Sequence, residues 1–123
     1  KGEDMRAIKF RVWNTLDKSF VSQENGVVFF PVLLEAMKGS KYYEAHQYTG
    51  LKDKNGVEIY EGDILATEGE YRSVVKFGGG SFCIQYITKW ISPWVPMRGI
   101  AMDRYSVIGN IYENFELLEE QSA

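Results

Sequence analysis

Glu58, Glu61 and Asp63 stand within six consecutive residues, a density of carboxylates that a general acid–base pair or a cation site would use. A plainer assignment competes with that chemistry. Asp63 follows Gly62 at a chain reversal, where a short carboxylate bonds the following amides. Glu58 sits between Val57 and Ile59, in the alternation of a strand with one buried face. Calcium-loop spacing is not present. His46 is the single histidine and Cys83 the single cysteine, far apart in the chain, so neither zinc-ligand spacing nor a thiol–imidazole pair is written into it. His46 is expected to be structural. Cys83, between Phe82 and Ile84, is expected to fill a strand as a small buried hydrophobe. Gly78-Gly79-Gly80 offers backbone amides to a phosphate, but no Gly-Lys-Ser/Thr follows and hairpin turns use such glycines. These residues predict no enzyme, no metal and no cofactor.

The segment from Lys89 to Arg98 is different in kind. Trp90, Trp94, Met97 and Arg98 fall on a stretch broken by Pro93 and Pro96, and these residue types are enriched at the centres of protein interfaces. They form the candidate interaction surface, with covering the end of a barrel as the bland alternative. A nucleic-acid module, using sheet aromatics with Arg6, Arg11, Lys89, Arg98 and Arg104, ranks second. Net charge is −3, and after Ile108 the chain carries four acidic residues and no basic one. The remainder holds 14 basic and 13 acidic residues, without the clustered cations that phosphate neutralisation needs.

The elements that must position these residues are organised around Gln47–Leu65. Asp53-Lys54-Asn55-Gly56 is a reversal in which Asn55 and Gly56 tolerate positive φ, and Gly62-Asp63 is a second break between short β-type runs. Asn55, Gly56, Gly62 and Asp63 are therefore structural turn residues. Upstream, Ile8, Phe10 and Val12 alternate with Lys9 and Arg11 as a strand with one wet face. Trp13–Lys18 and Gln23–Gly26 read as turns, and Val27–Phe30 as a buried strand. Pro31–Lys38 reads as a helix that begins at its proline and stops at Gly39. Lys41–His46 is a connection, with Tyr42 and Tyr43 packing as strand or covering a core edge. Downstream, Tyr71–Phe77 and Ser81–Ile87 form a hairpin, residues 88–103 are irregular, and Tyr105–Tyr112 is a strand with both faces covered. Asn114 is expected to cap a short helix over Phe115–Glu120.

Tyr, Phe, Trp, Val and Ile are abundant, the composition is 45% hydrophobic and 15% aromatic, and only 3 residues are proline, which favours an ordered β-rich protein. The fold expected is mainly β: a barrel-like or strongly bent antiparallel sheet with one or two short helices. The Gly62-Asp63-Ile64 turn is similar to one in small SH3-like barrels. A chain of 123 residues fits one domain, assigned to residues 5–121, with 1–4 as a leader or remnant. One cysteine allows no internal disulfide, and no apolar run approaches the length of a membrane helix. The expected location is a reducing compartment, the cytoplasm.

The stretch Tyr48-Thr49-Gly50-Leu51-Lys52-Asp53-Lys54-Asn55-Gly56, followed by Glu58-Ile59-Tyr60-Glu61-Gly62-Asp63-Ile64, resembles the signature of the YopX-type family. The resemblance extends to Ile8-Lys9-Phe10-Arg11-Val12-Trp13 and to Val107-Ile108-Gly109-Asn110-Ile111-Tyr112-Glu113-Asn114, with Phe115 standing where members often carry proline. It implies a small protein encoded by phages or prophages of Gram-positive bacteria, and brings no established activity, cofactor or catalytic residue. The function expected is that of a non-enzymatic accessory protein, a homo-oligomer acting through contacts with an unidentified protein partner.

Overall fold

The computed structural model describes residues 8–24, 26–68, 71–88 and 92–119. The chain divides between Tyr48 and Thr49 into two compact units. In the first unit, β1 (Phe10–Asn14) pairs antiparallel with β2 (Ser19–Phe20) and with the start of β3 (Tyr43–Lys52), in the register Phe10 opposite Gln47 to Asn14 opposite Tyr43. The turn expected over Trp13–Lys18 forms over Thr15–Lys18, with Trp13 and Asn14 still in β1. Asn14 Oδ1 accepts from the amides of Leu16 and Asp17 at 2.9 and 3.0 Å, in the side-chain mimicry of a backbone turn that Asn favours. The expected wet face beside Val12 is only partial, with Lys9 exposed but Arg11 half-buried. Val12 is buried on one side, while on the other Trp13 meets the edge of Phe20 at 4.9 Å and the Arg11 guanidinium lies over that ring. Strand β3 also replaces the connection expected over Lys41–His46, because residues 43–47 complete the hydrogen bonding of β1.

The expected strand Val27–Phe30 is helical. It forms the first part of α1 (Gly26–Met37), with Pro31 inside the helix rather than at its start. Valine and phenylalanine favour strands locally, but Phe29, Val32, Leu33 and Ala36 recur at 3.6-residue spacing and are buried or half-buried. Tertiary packing of that stripe overrides local preference. Pro31 has no N–H to donate toward the Val27 carbonyl, so α1 forgoes one i→i−4 hydrogen bond beyond its first turn. The helix ends as expected at Gly39. Its φ of +91° lets the Ser40 amide reach the Glu35 carbonyl at 3.2 Å and the Gly39 amide reach Ala36 at 3.1 Å. Among the described residues no helix is long and apolar enough to cross a membrane.

In the second unit the last residues of β3 lie beside β4 (Glu58–Tyr60). A five-stranded antiparallel sheet follows in the order β8-β7-β6-β5-β9, comprising β5 (Asp63–Thr67), β6 (Arg72–Gly78), β7 (Ser81–Tyr86), β8 (Val95–Pro96) and β9 (Tyr105–Asn110). It curls as a half-barrel. The β5–β9 register slips by one residue between Ile64 and Leu65, a bulge of the kind that strengthens twist. Ile59, Leu65, Val75, Ile84, Met97, Met102 and Tyr105 fill the concave core. The mainly β expectation holds, with one α-helix and short 3-10 turns at Met102–Arg104 and Phe115–Leu118 among the described residues. Gly79 and Gly80, at φ +61° and +81°, form the two-residue loop of the β6–β7 hairpin, the geometry whose twist matches paired strands.

At the chain's end two expectations change. The bulge leaves Ile108 opposite no residue of β5 and 38% exposed, so β9 does not bury both faces. Asn114 does not cap the following turn. Its Oδ1 accepts from the Asn110 amide at 3.1 Å, and its carboxamide occupies the space a side chain at Gly109 would need.

Candidate protein-contact surface

Within residues 88–103, read as irregular, Val95–Pro96 forms a two-residue edge strand. Val95 and Pro96 pair with Ile84 and Cys83, and the Met97 amide donates to the Phe82 carbonyl at 2.9 Å. Proline is tolerated there because an edge strand leaves one row of amides unpaired. Pairing also turns Met97 inward. At 2% exposure it is a core residue, which removes it from the expected surface. Trp94 is 45% exposed and lies against Gly78, where a Cβ would stand 2.5 Å from the indole, with the Lys76 ammonium over the ring at 5.1 Å. Arg98 is exposed. Trp90, like Lys89 and Arg6, lies outside the described residues. Of the expected quartet, Trp94 and Arg98 are thus exposed and Met97 is in the core.

The turn residues are built into the sheet. Gly56 takes φ +80° and its amide donates to the Asp53 carbonyl at 3.0 Å. Asn55 is not among the positive-φ residues, so the reversal needs one permissive position and not two. The turn residue that the sequence understated is Asp53. Buried at 6% exposure, its Oδ1 accepts from the amides of Asn55 and Val57 at 2.8 and 2.9 Å, while Oδ2 accepts from Val107 at 2.8 Å. Burial alone would raise its pKa, but the amides of Val107, Val57 and Asn55 and the charge of Lys54 outweigh it and hold the carboxyl below its ordinary value. An aspartate opening an Asp-x-Asn-Gly turn was the available signal.

At the second turn Gly62, φ +88°, donates to the Val75 carbonyl at 2.8 Å and accepts from Ile111 at 2.9 Å. Asp63 is 2% exposed, and its Oδ2 accepts from the preceding amide of Tyr60 at 2.7 Å. Glu58 Oε1 accepts from the Tyr60 hydroxyl at 3.4 Å. The carboxylates of Asp53 and Asp63 are thereby committed to holding backbone. Among the described residues no group of three His, Cys, Asp or Glu side chains stands where it could hold a metal ion. Half-buried His46 is opposite Arg11 on β1. Cys83 is 4% exposed, with its sulfur near Ser81 Oγ and the Gly78 carbonyl. The hydroxyls of Tyr86 and Tyr105 share a 2.7 Å hydrogen bond, and burial, then that bond, pushes Tyr105 up to about 12.

Among the described residues, the largest run of exposed apolar side chains lies elsewhere, on α1. Opposite its packed stripe, Val27, Phe30, Leu34 and Met37 share one helical face and are 84, 65, 54 and 63% exposed. The Phe30 ring lies along the helix over Gly26, where a Cβ would come within 2.9 Å, and meets Phe29 edge-on at 5.9 Å. A helix that is apolar all round is ordinarily buried all round, and a contiguous exposed apolar face marks a contact site. Periodicity could not show it, since apolar residues on both faces erase the alternation that marks a helix.

The family described as YopX protein matches residues 33–119, and the match crosses the division between the two units. The crystal structure of protein EF1440 from Enterococcus faecalis is similar, with a TM-score of 0.62 and 26% identity over 94% of this chain and 100% of that one. No curated protein matches.

Proposed function

Because the chain belongs to the YopX protein family, we propose that it is a non-enzymatic accessory protein of a phage or prophage in a Gram-positive host, acting in the cytoplasm through contacts with protein. Residues 5–121 serve as one functional domain in this reading, supported by a family match that runs across both units. The observation that carries it is the apolar face Val27, Phe30, Leu34 and Met37 on α1. Burying each such side chain is worth roughly 1.5–3 kcal/mol when complete, so a partner that covers the face gains a specific reward. Trp94 and Arg98 remain exposed beside the edge strand β8 as a smaller secondary surface.

Affinity capture from host cells during prophage induction tests the reading when wild type is compared with Phe30→Glu and Leu34→Glu. A protein retained by wild type and lost from both variants, with their melting temperatures unchanged, is the expected outcome. Retention that ignores both substitutions removes the role assigned to α1.

A further inference from the structure

We propose that the exposed face of α1 seats a second copy of this chain, the two helices packing antiparallel about a two-fold axis that crosses the seam midway between Phe30 and Leu34. This rests on the protein-contact reading above and names its partner. The face recurs at intervals of 3, 4 and 3 residues, Val27, Phe30, Leu34 and Met37, the spacing of a coiled-coil seam. Read backwards the intervals are unchanged. A two-fold axis at the centre therefore sets Val27 against Met37 of the second copy and Phe30 against its Leu34, closing the seam in two kinds of layer, as an isologous contact requires.

Charge selects the same orientation. Exposed Glu24 precedes the helix, exposed Lys38 and Lys41 follow it, and the only charged residue within Gly26–Met37 is Glu35. Antiparallel packing brings each acidic start to a basic end, whereas parallel packing stacks like on like. The same distribution disfavours a lipid surface, because a helix that lies on a membrane carries Lys and Arg along its polar face and α1 carries none within its length. A seam of about three turns is small beside a standard interface, so the dimer is expected to be concentration-dependent.

Sedimentation equilibrium of the full chain tests this. Wild type is expected to dimerise reversibly, and Phe30→Glu and Leu34→Glu each to dissociate at least about tenfold more readily, with thermal melts matching wild type. Orientation is read by disulfide trapping in a Cys83→Ser background. Val27→Cys mixed with Met37→Cys is expected to cross-link, whereas either alone is not, its own two sulfurs being held about 15 Å apart along the seam. A strictly monomeric wild type overturns the proposal; if capture of another protein still depends on Phe30, the broader protein-contact reading stands. A dimer indifferent to both glutamates, or cross-linking of Val27→Cys with itself in preference to the mixture, also overturns it. So does Phe30-dependent binding of wild type to phosphatidylglycerol vesicles without self-association.

Discussion

At the scale of single residues, one buried carboxylate does more than any candidate catalytic group. Asp53 accepts three backbone hydrogen bonds, and the one to Val107 joins the turn it opens to a strand more than 50 residues later. An asparagine at this position keeps one acceptor oxygen and places an amide where acceptor capacity is needed. Asp53→Asn is thus expected to destabilise the protein by about 2–3 kcal/mol, measured by urea unfolding near neutral pH. The sign with pH follows from a carboxyl held below its ordinary value of 3.8. Its contribution is present in full above that unfolded-state value and is lost as pH falls through the lower folded one. The stability gap between wild type and Asp53→Asn should therefore be flat near neutrality and close below pH 3.8. A gap that widens on acidification would show that the carboxylate is not the stabilising form.

At the scale of elements, two substitutions separate the helix and turn geometries from their alternatives. If α1 began at Pro31, that proline would occupy a favoured first-turn position and Pro31→Ala would gain nothing. In a helix running from Gly26 to Met37 it is internal and exposed. Pro31→Ala is then expected to raise stability by about 1–3 kcal/mol, with a matching gain in helical circular dichroism. Gly62 is set between the Val75 carbonyl and the Ile111 amide at φ +88°, a conformation that valine resists. Gly62→Val should lower stability by about 1–3 kcal/mol, and an unaltered melting temperature would contradict the backbone argument.

At the scale of the whole molecule, charge bears on the class of partner. Outside its acidic end the chain holds 14 basic against 13 acidic residues. Among the basic residues considered for nucleic acid, Arg11 is half-buried over Phe20, while Arg98 and Arg104 are exposed. Binding of a fluorescent duplex or single strand should be weak at low salt and vanish at moderate salt. Submicromolar binding that survives physiological salt and falls on Trp94→Ala or Arg98→Ala would instead make the region around β8 a base-stacking platform.

Turns and strand periodicity were legible in the sequence because they are local. Gly56, Gly62, Gly79 and Gly80 take positive φ where spacing placed reversals, and Val75, Ile59 and Cys83 are buried where alternation or composition placed them. What depended on distant partners was not legible. Val27–Phe30 joins a helix because its inner stripe finds a packing surface, Met97 enters the core because β8 pairs with β7, and Asp53 is buried because Val107 returns beside it. The exposed face of α1 belongs to the same class. Apolar residues on both faces of a helix do not mark an inner side, and only the tertiary structure decides which side the protein covers itself and which it leaves exposed.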